Sequence, residues 1–241
     1  MPRRLSAIVA LCLLLLVGCG KPAAEVSHQK SPEPHALSEA ESERMAVSRF
    51  RNYQAKGVQF SAVVPDGNLQ LSVLGFIDYR KKVGFAIVQP MTSTPGTQTV
   101  LVQWNEGKRL LWSGTYSGSY PPPQLPQAPG TLQRFGPSGS SLDSLLYVLL
   151  ALGKDRPDNP LLIRQSDAKW LRSDKIGDVK VDVFQGPTSA ADKSDTPART
   201  SYWLTETGQM LRVDLFISGP ALIQFNPQGY VQFPIDKRLL K

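Results

Sequence analysis

Residues 57–78 read GVQFSAVVPDGNLQLSVLGFID. Val58, Phe60, Ala62 and Val64 alternate with Gln59 and Ser61, the period of two that marks a strand with one buried face. Pro65-Asp66-Gly67-Asn68 has turn chemistry. After it, Leu69, Leu71, Val73 and Ile77 alternate with Gln70 and Ser72, while Leu74 and Phe76 add apolar bulk to the other face. Two such runs about a short polar turn predict an antiparallel hairpin.

The pattern extends in both directions. RKKVG at 80–84 turns the chain into Phe85-Ala86-Ile87-Val88, and Thr97 to Trp104 and Leu110 to Trp112 form a further pair about NEGK. That makes five strands at hairpin spacing. Upstream, Ser38 with Glu41 three residues later is a capping box, predicting a helix to about Ala55 with a loose stripe of Ala40, Met45, Val47, Phe50 and Tyr53. Downstream, the 113–139 stretch has five prolines between 121 and 129, which predicts a surface loop that does not pair into the sheet.

SSLDSLLYVLLALGK follows at 140–154. Ser140 or Ser141 caps it, and Gly153 is placed to close it. Leu142, Leu145, Leu146 and Leu149 form one apolar face, and Tyr147, Val148, Leu150 and Leu152 make the other apolar too. A helix apolar all round is expected to be buried on all sides. At about 12 residues it is too short to span a bilayer. Beyond it, PLLIRQS reads as a short helical turn and AKWLRSDKIGDVKVDVFQG as two strand-like runs. RTSYWLTETGQMLRVDLFI reads as a hairpin about Thr207-Gly208, and ALIQFN and YVQFP as closing strands. With about 9–11 strands, two main helices and no βαβ rhythm, the predicted fold class is α+β. The expected form is a curled antiparallel sheet or unclosed half-barrel with helices covering its concave face.

Inventory excludes several chemistries. The cysteines are Cys12 and Cys19, and the histidines are His28 and His35, all ahead of the first predicted helix. A body without either residue offers no Ser-His-Asp triad, no His metal site and no Cys-His pair. The acidic pairs Asp78 with Glu106 and Asp182 with Asp214 have no spacing that brings them together. No catalytic residue, metal site or cofactor is therefore expected.

The amino terminus has its own logic. Arg3 and Arg4 precede a 13-residue apolar run, Leu5 to Val17, interrupted only by Ser6. That run fits a secretory signal. Leu16-Val17-Gly18-Cys19 resembles the lipobox of bacterial lipoproteins. The resemblance implies signal peptide 1–18, cleavage before Cys19, and acyl chains on that residue that hold the protein on the outer face of the bacterial membrane. Several chains are needed for stable attachment, since each buried methylene contributes roughly 0.8 kcal/mol and one chain binds reversibly. Residues 19–37, rich in Pro, Ala, Ser and charge, read as a flexible tether with a reach of roughly 23 Å, and 38–241 as one domain. The net charge of +7 falls to +5 without Arg3 and Arg4, a modest balance for a body this size. An exported chain is not expected to meet nucleic acid.

The lipobox, the early helix, the hairpin run, the leucine-rich helix and the WLTETGQMLRVDLFI stretch together resemble actinobacterial lipoproteins of the LppX and LprG type, within the wider LolA-like fold. The resemblance spans nearly all of 40–236. It implies an unclosed half-barrel that holds acyl chains of a lipid, glycolipid or lipoprotein under its helices. The candidate lining residues are Leu71, Val73, Phe85, Leu145 and Leu149, and the candidate headgroup contacts are Arg80, Lys81 and Lys82. Two arrangements satisfy the apolar surplus: a hollow beneath the leucine-rich helix, or a dry core with none. The first suits a carrier of acylated envelope molecules. The second suits an envelope sensor or protein-interaction module of the same fold.

Overall fold

The computed structural model describes residues 33–92, 99–114, 120–122, 124–188 and 199–240. The elements begin with β1 (His35–Ala36), α1 (Glu39–Gln54), β2 (Gly57–Asp66), β3 (Leu69–Asp78), β4 (Val83–Pro90), β5 (Thr99–Trp104), β6 (Lys108–Gly114) and β7 (Thr131–Arg134). They continue with α2 (Ser141–Ala151), α3 (Pro160–Gln165), β8 (Lys169–Ile176), β9 (Val179–Gln185), β10 (Ser201–Leu204), β11 (Met210–Phe216) and β12 (Pro220–Asn226), then a 3-10 turn at Lys237–Leu239. Segment 1–18, Cys19 and residues 97–98 lie outside the described residues. Among the described residues, no helix is long and apolar enough to cross a membrane.

All twelve strands form one antiparallel sheet, in the order β1-β8-β9-β10-β11-β12-β2-β3-β4-β5-β6-β7. β1 and β7 are its two ends and do not pair with each other, so the sheet curls without closing. The β2–β3 hairpin pairs over its full length, from Gly57 against Asp78 to Asp66 against Leu69. β12 joins β2, with Phe225 opposite Phe60, and so welds the second half of the chain to the first.

Alternation along the strands sorts side chains into two layers. On the inner face, Val58, Phe60, Val73, Ile77, Ala86, Val102, Trp104, Val213 and Ile223 form one core with Met45 of α1 and Leu145, Leu146 and Leu149 of α2. On the outer face, Phe76, Val83, Phe85, Leu101, Leu110 and Trp112 form a second cluster, closed by Phe233 and Leu239 of the C-terminal segment. Val181, Val183 and Trp203 make a third, on the other flank, and the Arg212 guanidinium lies 4.5 Å from the Trp203 ring centre.

Several sequence expectations change. The unclosed antiparallel α+β form is as predicted, while the described residues form twelve strands against about 9–11 expected. β1 falls inside the stretch read as tether, with the His35 ring stacked on Trp170 at 4.8 Å. β7 falls inside the stretch read as an unpaired loop. It begins at Thr131, two residues past Pro129, where backbone donors return to the chain. YVQFP is not a strand: it ends in Pro234, and Phe233 serves as a plug, 5.8 Å from the Phe85 ring. α2 is not buried on every side, because Tyr147 is exposed. Gly153 does follow the helix, but without a left-handed backbone. It is small because the Tyr79 ring lies against it.

Ser140 caps α2 by accepting from the Asp143 N–H, and the Asp143 carboxylate accepts from the Ser140 N–H. The same carboxylate pairs with Arg109 of β6. Midway along, the Trp104 indole donates to the Leu146 carbonyl at 2.9 Å. The Trp104 ring fits there because it lies flat over Gly84 of β4. A Cβ at Gly84 would fall inside that ring's van der Waals envelope. Gly84→Ala is therefore expected to destabilise the protein by about 1–3 kcal/mol, as core overpacking does. The check is a urea titration, in which the midpoint falls while the slope holds.

Candidate functional site

The space beneath α2 is the first place to look for a ligand, and it is filled. Leu145, Leu146 and Leu149 are each 0% exposed. A void wide enough for water would leave accessible surface on its walls, so none touches these side chains. Burial contributes about 2 kcal/mol for each leucine. Lifting α2 would forfeit about 6 kcal/mol from the three side chains, an amount comparable to the whole stability of an ordinary domain. In this conformation α2 plugs the trough.

The structure brings Val73, Leu145 and Leu149 into one core, with Leu71 partly buried against it. Phe85 does not join them: it projects from the opposite face, opposite Phe76 of β3 and under Phe233. Arg80, Lys81 and Lys82 sit together on the β3–β4 turn but are engaged by neighbouring side chains. The Arg80 guanidinium lies 5.8 Å from the Tyr53 ring centre, Lys81 Nζ is 3.6 Å from Asp78 Oδ2, and Lys82 Nζ donates to Glu106 Oε1 at 2.7 Å. Cys19 lies outside the described residues.

A cavity does exist on the inner side, between α1 and α3. It measures about 510 Å³, within the range of roughly 300–1,000 Å³ typical of small-molecule sites. Met45, Leu162, Ile163, Pro187 and Tyr202 supply its apolar wall, and Ser48, Arg49, Asp158, Asn159 and Ser166 its polar one. α3 stands there because Asn159 caps it, accepting from Leu161 and Leu162 N–H, and because Pro160 suits a first helical position. None of its residues is buried, and Leu161 and Leu162 are exposed beside the opening.

The chain between α2 and α3 is strapped along α1. Lys154 N–H donates to the Arg49 carbonyl and Asp158 N–H to the Ala46 carbonyl. Asn52 Nδ2 donates to the Leu152 carbonyl at 2.9 Å. On the cavity wall, Arg49 grips Asp158 with both arms, Nε to Oδ2 at 2.9 Å and Nη2 to Oδ1 at 2.6 Å, and Lys154 Nζ reaches Oδ1 at 2.7 Å. Burial pushes the Asp158 carboxyl up, but the bonds from Arg49 and Lys154 outweigh that and hold it below its usual range. Burial pushes the Tyr202 hydroxyl up, so it remains a protonated phenol at neutral pH.

None of the lining residues carried a sequence signal for a site. Arg49 reads as the solvent side of a helix, and the wall is assembled from four separate segments. The acidic pairs each have other partners: Asp78 accepts from Tyr230, Glu106 from Lys82, Asp182 from Ser173 with Arg44 beside it, and Asp214 from Arg212. Among the described residues there is no group of three or more His, Cys, Asp or Glu placed to hold a metal ion.

No known family profile matches the chain, and no curated protein does. Several solved structures are similar to it. The lipoprotein LppX of Mycobacterium tuberculosis aligns at 7% identity over 81% of this chain and 98% of its own, with a TM-score of 0.45. A DUF1329 family protein from Desulfovibrio piger aligns at 12% identity over 77% of this chain and 90% of its own, with a TM-score of 0.31.

The ion pair at the cavity end sets a pH dependence. Because the folded protein holds Asp158 below its unfolded value, its contribution is present above about pH 4 and lost as pH falls through the lower folded value. Asp158→Asn is expected to lower stability by about 1 kcal/mol at pH 7, since the group is partly exposed. Denaturant titrations at pH 7 and pH 3 check this: the gap between variant and parent should shrink at the lower pH.

Proposed function

We propose that the chain is an exported bacterial envelope lipoprotein, anchored through Cys19, whose body binds one acyl chain or a similarly slender apolar group in the α1–α3 cavity. The single observation that carries this is the cavity's polarity. Its wall combines the apolar side chains of Met45, Leu162 and Ile163 with Arg49 and Asp158, which Lys154 joins. That shape suits an amphiphile, with the chain against Met45 and Ile163 and a hydroxyl, ester or phosphate group toward Arg49. About 25 cal/mol is gained for each Å² of apolar ligand surface removed from water. In this reading the body is a binding protein with no catalytic role. Its partners are the membrane, a lipid or glycolipid, and an envelope protein that receives it.

The packed state of α2 favours a second reading, an envelope sensor or interaction module of the same fold with no transferable cargo. A binding experiment separates the two. Full-length protein purified from membranes is extracted with organic solvent for mass spectrometry, then titrated with a fluorescent long-chain fatty acid. The carrier reading expects extracted lipid and saturable probe binding. It expects Ile163→Trp, which fills the cavity from a partly exposed position, to weaken binding at least tenfold. A clean extract with no saturable binding sinks it and leaves the sensor reading.

A further inference from the structure

The strand register sorts charge between the two ends of the half-barrel. One end gathers the starts of β2, β4, β6, β9 and β11 and the finishes of β3, β5, β7, β8, β10 and β12. Its described stretches are 54–58, 78–83, 104–108, 133–135, 175–180, 204–210 and 226–230, and they hold eight Lys and Arg with four Asp and Glu. At the other end, stretches 63–72, 87–92, 167–170, 184–188, 199–201 and 214–221 hold Lys169 and Arg199 with Asp66, Asp167 and Asp214. Arg199 and Asp167 pair with each other there. α1 is polarised in the same sense. Glu39 and Glu41 lie in its first turn and Arg51 in its last, with Lys56 just beyond, where the chain enters β2 at the basic end.

Within the basic end, Lys81 is offset by Asp78 and Lys82 by Glu106. The surplus rests chiefly on Lys56, Arg80, Arg134, Lys175 and Lys180, all of them exposed. Lys175 and Lys180 stand directly opposite each other across β8 and β9. Like charges so placed destabilise a sheet, and neither ammonium forms an ion pair among the described residues. The fold gains nothing from that pairing, which suits a surface that meets negative charge from outside.

The chain enters the body from this same end. β1 is antiparallel to β8, with His35 opposite Trp170 and Ala36 opposite Lys169. Followed backwards from Ala36 through His35, the chain therefore heads toward Lys175. Glu33 of that incoming stretch adds one carboxylate to the basic end and leaves its cations in the majority. Residues 33 and 34 leave the body on the basic side, and the covalent path to Cys19 continues from there.

We infer that the basic end of the half-barrel rests on anionic headgroups of the bilayer that holds Cys19, with the β8–β9 tip nearest the surface. The inference rests on the anchored reading above, and names the face and the lipid chemistry that the anchor brings together. Cations gathered on one face are attracted to a surface of anionic lipid. The contact lies in water, so salt weakens it.

The test uses the full-length protein with Cys12→Ser, reconstituted into vesicles rich in phosphatidylglycerol or made of phosphatidylcholine alone. A donor fluorophore is attached at Val179→Cys on the β8–β9 tip, or at Phe216→Cys on the opposite end. Both positions are exposed, so the substitutions leave the core intact. Energy transfer to acceptors carried on lipid headgroups reads the height of each label above the surface. The ten residues of β2 rise about 33 Å from one end to the other, a separation to which such transfer is sensitive. On phosphatidylglycerol at low salt, transfer from 179 is expected to exceed that from 216 by roughly threefold or more. High salt, phosphatidylcholine alone, or Lys175→Gln combined with Lys180→Gln is expected to cut that ratio at least to half. Equal transfer from the two labels, stronger transfer from 216, or a ratio indifferent to salt and lipid charge overturns the inference. The mass of the Cys19 peptide from the same sample reads the anchor separately. Acylated protein with equal transfer keeps the anchor and removes the basic face, whereas unacylated protein held through the 179 end removes the anchor and keeps the face.

Discussion

The Trp104 indole beneath the Leu146 carbonyl is the contact on which the arrangement of this protein depends. It links the middle of the sheet to the middle of α2 in the dry interior, where an unpaired indole N–H would cost about 1–3 kcal/mol. It needs Gly84 below for the ring to lie flat, and Phe60 meets the ring edge-on at 6.3 Å. Once the helix is fixed there, Leu145, Leu146 and Leu149 fill the trough. The capping box at Ser140 and the Arg109–Asp143 pair then fix its entry angle.

Filling the trough at its centre leaves the room for a ligand away from Leu145, Leu146 and Leu149. α1 crosses the strands at β2, β10 and β11, and the strap from Leu152 to Asp158 binds it to the plugged helix. One such space is the gap between α1 and α3, where a six-residue helix with no buried residue stands against the side of α1. Local stability is lowest where few apolar contacts hold an element, so α3 and not α2 is the element suited to yield to an entering chain. The half-barrel thus divides its labour. The plugged centre supplies rigidity and the α1–α3 flank supplies space.

Much of the fold was legible in the residues, for reasons that also mark where legibility ended. β2 and β3 alternate cleanly, so the hairpin and its inner face follow from the period alone. β4 does not alternate: Val83-Gly84-Phe85-Ala86-Ile87-Val88 is apolar at nearly every position because both faces are covered, one by α2 and one by Phe233. Only the pairing of Phe76 with Phe85 reveals that Phe85 faces outward. β1 and β7 are short and mostly exposed, and strands of two and four residues carry too few positions for a period. The leucines of α2 were read correctly as a helix, but its all-round hydrophobicity could not say whether the surplus met a ligand or a tryptophan. The α1–α3 cavity was not legible, because Met45, Ile163, Pro187 and Tyr202 come from four separate segments and none is unusual in its own.

Native-state hydrogen exchange of the α2 amides tests the central claim, that this helix is a fixed plug, most directly. The account predicts that Leu146 to Leu150 exchange only through global unfolding, with protection equal to that of the β2–β3 hairpin and the same dependence on denaturant. Exchange of those amides through a separate opening, several kcal/mol easier than that of the hairpin, would contradict it and return α2 to the role of a gate.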